Sequence, residues 1–337
     1  MAKVLILGGG GFIGYHLANR LASDTGNQIT LVDDFSRHRP DADLESFLAR
    51  TPNVSLTAGD LRDAGLFSSI GGPFDHVYLL AGIVGVRNVE SDAARVLHTN
   101  ITIILNTLEW LKDRGCGRLF FASTSEAYAG SVDLGLAEIP TAEQVPLAVT
   151  DIQHPRSTYA LSKMVGEAAV THYAMSAGFE AVSARYHNVY GPRMGVDHVI
   201  PELMQRVHQR IDPMPVYSVE QTRAFCYVSD AVEATIALMD CELNGLSIIH
   251  VGNDTEEIAI GNLLDRLLSV TGFHPEVRPL PAPAASVARR CPDISMLRSL
   301  TGFTPAVGID DGLKLTWEWY KDHFSYEATE ARTVASN

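Results

Sequence analysis

Val4-Leu5-Ile6-Leu7-Gly8-Gly9-Gly10-Gly11-Phe12-Ile13-Gly14 lies near the start of the 337-residue chain. A short apolar run stopped by glycine reads as a buried strand. From Phe12-Ile13 to Leu21 apolar residues then recur at helical spacing, so the stretch is strand, turn and helix. Glycine stands at 8, 11 and 14. There the missing Cβ atoms let a pyrophosphate rest on the helix N-terminus, and the third glycine lets the helix close on the sheet. The next strand ends at Val32-Asp33, about 20 residues on, where a dinucleotide fold places the acid that hydrogen-bonds the adenosine ribose. An acidic Asp33 repels a 2′-phosphate and favours NAD over NADP, although Arg37 and Arg39 follow closely and count slightly the other way. Gly59-Asp60-Leu61 comes after the third strand, where Asp60 either faces the adenine or caps a helix. Gly8, Gly11, Phe12, Ile13, Gly14, Asp33, Asp60 and Leu61 are therefore the candidate cofactor wall, and NAD the candidate cofactor.

Further apolar runs occur at Ile29–Val32, Val54–Leu56, His76–Leu80, Arg118–Phe121 and Ala181–Ala184, each beside a helical pattern. Alternation of this kind predicts an α/β fold with a doubly wound parallel sheet of Rossmann type and helices on both faces. After Gly191 the pattern loosens around Pro192, Pro201, Pro213 and Pro215 and again around Pro275, Pro279, Pro281 and Pro283. Residues 1–186, with returning segments near 222–252, are expected to bind the dinucleotide. Residues 187–326 are expected to form most of a smaller, discontinuous substrate lobe, and residues 327–337 a frayed tail. The segments 93–114 and 157–177 are too apolar for helices with a single buried face. Pairing between two subunits of a homodimer and extra packing within the chain both account for this.

Composition removes several classes. Hydrophobic residues are 46% and charged residues 20% of the chain, ordinary for a globular protein. Lys and Arg number 26 against 40 Asp and Glu, a formal charge of −14, which argues against nucleic acid or an anionic membrane as main partner. The uncharged stretch 4–19 has glycines where a signal peptide needs continuous apolar helix, and no segment has the ~20 apolar residues of a membrane span. Cys116, Cys226, Cys241 and Cys291 lack metal-ligand or redox spacing, so no metal site and a cytoplasmic home are expected. His76, His187, His198, His208 and His250 are likewise scattered without ligand spacing.

Catalytic chemistry is concentrated in Tyr159-Ala160-Leu161-Ser162-Lys163, which puts a phenol and an ammonium four residues apart on one helix face. The lysine charge favours the tyrosinate, as a general base requires. Ser123-Thr124-Ser125-Glu126 follows the run ending at Phe121, at the carboxyl edge of the sheet where ligands bind, and a hydroxyl there can orient a substrate alcohol.

In combination these residues resemble the extended short-chain dehydrogenase/reductase family of nucleotide-sugar enzymes, from Lys3 to about Tyr320. The resemblance implies a nucleotide-diphosphate sugar as substrate, Tyr159 as base, Lys163 as its electrostatic partner and cofactor-ribose ligand, and Thr124 as the hydroxyl aligned with the sugar. It places Asn100 in His98-Thr99-Asn100 near the active site and Asn188, in the run Arg185–Arg193, on the substrate diphosphate. Arg223 in Gln221-Thr222-Arg223-Ala224-Phe225 matches an arginine that contacts the nucleotide or its phosphates, and Arg193 is a further substrate candidate. The family often has His where this chain has Leu79. The implied chemistry is transient oxidation at sugar C4.

The run Ser123-Thr124-Ser125-Glu126-Ala127-Tyr128, with Pro155-Arg156 and Gln221–Phe225, is similar to that of UDP-glucuronate decarboxylases. Ser125 stands where 4,6-dehydratases carry the Asp that protonates the departing oxygen, which disfavours dehydration although Glu126 remains. Arg156 or Arg193 would sense the carboxylate. Ala129 and the run Ile83-Val84-Gly85-Val86-Arg87 depart from the decarboxylase pattern, and 4-epimerization needs only Thr, Tyr, Lys and room for the ketone to turn over. Decarboxylation is thus the leading expectation, with 4-epimerase, 4,6-dehydratase and 4-dehydrogenase behind it. Outside the enzymes, an NAD-sensing binding protein is the rival, but such proteins commonly lose the Tyr or Lys that this chain keeps.

Overall fold

Val4 and Ile6 point to one face of the first strand and Leu5 and Leu7 to the other, and all four are closed off from solvent. This is the period of two that a strand covered on both sides requires. In the computed structural model, which describes residues 1–36, 40–243, 245, 247–282 and 287–334, that strand lies inside the sheet with a strand paired on each side. Arg37, Arg39 and Pro283 lie outside the described residues.

Seven parallel strands form the main sheet: β1 (Lys3–Leu7), β2 (Gln28–Asp33), β3 (Val54–Ala58), β4 (Phe74–Leu79), β5 (Cys116–Thr124), β6 (Glu180–Tyr186) and, after four short strands described below, β11 (Ser247–Val251). Their order is β11-β6-β5-β4-β1-β2-β3, with Leu5 beside Thr30 of β2 and Val77 of β4. This is the expected Rossmann-type sheet. The direction of winding reverses between β1 and β4, so the crevice beyond their carboxyl ends is where a ligand binds.

Helices cover both faces. On the Val4 and Ile6 side lie α1 (Phe12–Ala22) and α8 (Val228–Asp240), contributing Leu17, Leu21, Val232 and Leu238. On the Leu5 and Leu7 side lie α4 (Ala93–Arg114) and α6 (Arg156–Ala177), contributing Ile104, Leu108, Val170 and Ala174. The last two are the doubly apolar segments of the sequence. They pack against each other as well as the sheet, yet Leu105 on α4 and Val165 and Met175 on α6 remain exposed.

The remaining strands form three small sheets. β7 (Val189–Tyr190) pairs with β10 (Cys226–Tyr227), and β8 (Met214–Tyr217) with β13 (Val277–Leu280). β9 (Thr222–Ala224) lies between β12 (Glu257–Ala259) and β14 (Arg289–Arg290). The shorter helices are α2 (Ala42–Arg50), α3 (Val86–Ser91), α5 (Ala129–Asp133), α7 (Val199–His208), α9 (Ile260–Thr271) and α10 (Ser295–Thr301).

A final helix, α11, runs Ile309–Val334. Residues 335–337 are outside the described set. Among the described residues no helix is long and apolar enough to cross a membrane.

Candidate active site

A cleft of about 880 Å³ lies over the carboxyl ends of β1, β4 and β5, within the size range of small-molecule sites. At one end is the glycine turn. Gly8 holds φ at +90°, and a Cβ on Gly14 would stand 2.2 Å from the Gly8 carbonyl oxygen. The turn and the first helical residues therefore touch only because both positions lack a side chain. Gly11 is the N-cap of α1, and no side chain caps that helix. Gly11, Phe12 and Ile13 line the cleft, so the helix's first amides face a space an anion can fill.

Asp33 also lines the cleft. Its carboxylate accepts from the Gly10 N–H (3.0 Å) and the Phe35 N–H (2.9 Å), which fixes it against the glycine turn with lone pairs to spare for a ribose diol. Asp60 is placed differently from its neighbours. Gly59, Leu61 and Arg62 reach the cleft, whereas the Asp60 carboxylate is gripped by Arg62 (2.6 Å). That hydrogen bond holds its pKa below the usual carboxylate range. Arg62, outside every sequence motif, is the basic group on this wall.

Arg193 lies beside the glycine turn at the cofactor end of the cleft. Its backbone is left-handed (φ 68°), its guanidinium stacks 4.1 Å from the Tyr15 ring centroid and pairs with Asp41, and it reaches the Gly10 carbonyl at 3.4 Å. Its Nη groups engage the glycine turn and Asp41, the N-cap of α2, while its Nε is buried without a hydrogen-bond partner among the described residues. Trp319 and Tyr320 of α11 close the same end. The Trp319 indole donates to Asp43 (2.9 Å).

At the other end β5 delivers Thr124, and a single 3₁₀ turn, Ser125–Tyr128, follows. The Thr124 hydroxyl accepts from the Glu126 N–H (3.3 Å), capping the turn and holding Ser125 and Glu126 at the cleft wall. Opposite, α6 presents Tyr159 and, one turn later, Lys163. The helix sits close on β5: a Cβ at Gly166 would come 2.4 Å from the Phe121 ring.

Lys163 is buried, donates to the Ala122 carbonyl (2.7 Å) and lies 6.0 Å from the Tyr159 ring centroid. Burial pulls its pKa down to about 8, against the opposing pull of the Glu167 charge. Asn100, on α4, accepts from the Ile83 N–H (2.7 Å) and donates to the Ile83 carbonyl (3.0 Å) and the Ser162 hydroxyl (3.3 Å). Asn100 therefore fixes the segment after β4 beside Lys163 and does not itself line the cleft. Ser123 donates to Glu167 (2.6 Å), which makes a buried two-point ion pair with Arg185 (2.8 Å each).

Glu126 is the centre of a charge cluster. Its Oε1 lies 2.8 Å from Arg290 Nη1 and 3.8 Å from Arg156 Nη2. Burial pushes its pKa up, but Arg290, Arg156 and Arg223 together outweigh this and hold it below the usual range. Arg223 is half-withdrawn, donating to the Thr222 carbonyl (2.7 Å) and Gln221 (3.2 Å). Burial, with the neighbouring Arg290 charge, lowers its pKa to about 10. Arg290 and Arg156 line the cleft and Arg223 stands behind them. Asn188, left-handed at φ 39°, lines the same wall and donates to the Ala224 carbonyl (3.1 Å).

Arg290 is the principal residue that sequence reasoning missed. It lies outside every motif, and only the pairing of β14 with β9, Arg290 opposite Arg223, brings it to Glu126. Among the described residues no cluster of His, Cys, Asp or Glu is arranged to hold a metal.

A dinucleotide turn, a hydroxyl at the end of β5 and a Tyr-Lys pair sharing one cleft define a nicotinamide-dependent enzyme of the α/β class. The chain belongs to the NAD dependent epimerase/dehydratase family, whose sequence model matches residues 4–252. NAD is its cofactor, and the chain is an NAD-dependent enzyme of the nucleotide-sugar-modifying type. It is 31% identical over 329 residues to the UDP-N-acetyl-alpha-D-glucosaminuronate decarboxylase of Bacillus cytotoxicus, covering 95% of this chain and 98% of that one. To UDP-glucuronic acid decarboxylase 1 of Xenopus tropicalis it is 32% identical, covering 97% of this chain and 74% of that one. A crystal structure of a UDP-galactose 4-epimerase superposes with a TM-score of 0.79 at 28% identity, covering 95% and 99% of the two chains.

Proposed function

We propose that the protein removes the carboxylate of a UDP-hexuronate by way of a 4-keto sugar. The observation that carries this reading is the cluster around Glu126: three guanidinium groups, from Arg156, Arg223 and Arg290, face one carboxylate. The cluster has two positive charges in excess, beside the hydroxyls of Thr124 and Ser125. A neutral hexose has nothing to offer it, whereas a C6 carboxylate does. Dehydration needs an acid at position 125, where a serine hydroxyl stands, and Glu126 is held ionised by its arginines.

In this reading Tyr159 takes the proton of the C4 hydroxyl, Lys163 sets the tyrosinate's charge balance, and Thr124 aligns the hydroxyl. Gly8, Gly11, Gly14 and Asp33 hold NAD, which when bound accepts the C4 hydride and returns it. The ketone at C4 makes the substrate a β-keto acid. The C5–C6 bond then breaks, its electron pair passing into the C4 enolate as carbon dioxide leaves, and C5 takes up one proton before C4 is reduced. Arg156 and Arg290 fix the carboxylate until it departs. We place the enzyme in the cytoplasm, in keeping with its four free thiols. We also read it as a homodimer joined through α4 and α6, where Leu105, Val165 and Met175 are exposed. Light scattering at micromolar concentration gives twice the 36.6 kDa chain mass if this is right and the single mass if it is wrong.

Calorimetry on the NAD-loaded protein tests the substrate class. UDP-glucuronate is expected to bind at least ~10-fold more tightly than UDP-glucose, and Arg290→Met to erase most of that preference. Equal affinity for the two sugars, or a preference untouched by Arg290→Met, contradicts the reading.

A further inference from the structure

The run Ile83-Val84-Gly85-Val86-Arg87, which departs from the decarboxylase pattern, leads into α3, the short helix between β4 and α4. Ile83 is pinned by Asn100 through both its N–H and its carbonyl. Gly85, left-handed at φ 99°, is the N-cap of α3, so the helix is entered through a backbone conformation that suits glycine. At the far end Asp92 closes α3 and caps α4, accepting from the Arg95 N–H (2.9 Å). Between these two fixed points α3 is a flap, and Val86, Asn88 and Val89 on it line the cleft.

The flap has little core of its own. Ile83 and Val89 join Val96 of α4 in a cluster apart from the two that fill the faces of the sheet, and the ring of Tyr159 packs against it. Three buried side chains open at a much smaller free-energy cost than the cores of the sheet. Opening also takes packing away from the Tyr159 ring, so the placement of the base depends on α3.

Arg87 of α3 reaches the segment that leads into α7. Its Nη1 lies 2.9 Å from Asp197 Oδ1, and its Nη2 lies 3.9 Å from Glu202, which Arg206 holds at 2.6 Å. Asp197, His198 and Val199 line the same cleft, so the ion pair ties together two stretches of its wall that are far apart in the chain. The side chains of Arg87 and Asp197 are 67% and 33% exposed. An ion pair so placed is worth a factor of about 1.5 to 5 in an equilibrium and weakens with salt. That is too little to lock the cleft and enough to bias a flap that opens in every turnover.

We propose that the Arg87–Asp197 pair latches α3 over the cleft and so keeps the oxidised sugar beside the cofactor until the hydride returns. Both are positioning residues, acting through α3 on Tyr159 and on escape from the cleft. Oxidation at C4 sends the hydride to NAD and the hydroxyl proton to Tyr159. A keto sugar that leaves at this stage costs one reduced cofactor for each sugar lost, and the enzyme left behind cannot begin another cycle. The inference rests on the proposed function only in the passage through a 4-keto sugar, and it holds for decarboxylation and epimerization alike.

Hydrogen exchange on NAD-loaded protein without substrate reads the latch itself. Amides of α3 are expected to exchange about 1.5- to 5-fold faster in Arg87→Met than in the parent, and added salt to speed them in the parent alone. In turnover with whichever nucleotide sugar the enzyme accepts, Arg87→Met is expected to release about two- to fivefold more 4-keto sugar per product formed. Borodeuteride converts the released ketone to a sugar with deuterium at C4, counted by mass and matched one for one by reduced cofactor. The charge-swapped double variant, Arg87→Asp with Asp197→Arg, is expected to recover at least half of each change. Unchanged exchange in Arg87→Met overturns the latch. So does a swap that leaves the defect of Arg87→Met in place, which would mean that Arg87 acts on substrate directly. A parent that forms no 4-keto sugar overturns the proposed function, and the exchange measurement still decides the latch.

Discussion

Replacing Glu167 with Gln tests whether the catalytic helix is anchored and charged as described. The side chains of Glu167 and Arg185 are 3% and 2% exposed, so solvent screens little of their attraction. Two hydrogen bonds of 2.8 Å join them, and Arg185 donates a third to the Glu143 carbonyl (3.0 Å). Gln has the same shape and can still accept from Ser123, but it turns an N–H₂ group toward a guanidinium and leaves that charge buried without a counter-charge. Breaking one side of such a pair costs about 3–5 kcal/mol. For a chain of this size that lowers the thermal midpoint by roughly 4–7 °C.

The same substitution has a second, separable effect. The Glu167 charge supports the Lys163 ammonium against burial, so its loss moves the Lys163 pKa further below about 8. The fraction of charged lysine, and with it the support for the tyrosinate, then falls at lower pH, and the alkaline limb of kcat against pH moves down. Scanning calorimetry and a pH–rate profile on Glu167→Gln measure both. A destabilisation under about 1 kcal/mol would place the pair outside the group of buried ion pairs. An alkaline limb that stays put or moves up would refute the coupling to Lys163.

Tyr159→Phe is expected to lower turnover at least ~10²-fold while binding of UDP-hexuronate measured by calorimetry is nearly unchanged; more than a tenth of normal turnover removes Tyr159 as base. For Gly14→Ala, the added Cβ at 2.2 Å from the Gly8 carbonyl forces the turn apart. Overpacking of that kind costs about 1–3 kcal/mol, and if it falls on the cofactor site NAD affinity drops roughly 5- to 150-fold by titration. Affinity within twofold of the parent would mean the turn does not cradle the pyrophosphate. Asp33, pinned at the cleft wall, makes NAD bind more tightly than NADP. A tenfold preference for NADP in the same titration would overturn its role.

Much of the cofactor site was legible because it is local. Val4 to Gly14 is one strand, one turn and one helix start, and the Gly8–Gly14 contact spans a single turn of chain. Tyr159 and Lys163 were legible for the same reason, being one helical turn apart. What escaped is what the fold brings from a distance. Arg290 reaches Glu126 across 164 residues through a two-residue strand, and a doublet of arginines has no period to announce it. His187 and His250 lack ligand spacing, yet adjacent parallel strands carry them into one compartment. Asp60 and Arg193 were recognised as polar groups near the site, but their partners Arg62 and Asp41 decide where they point.

The central claim, that oxidation and return of hydride at C4 bracket the loss of a carboxylate, is tested most directly with UDP-glucuronate carrying deuterium at C4. Product mass and proton NMR after incubation with NAD are expected to show the loss of one carbon dioxide, deuterium retained at C4, and one solvent-derived proton at C5. An unchanged mass with C4 inverted would make the enzyme an epimerase, and loss of carbon dioxide with the C4 deuterium washed out would contradict the return of the same hydride.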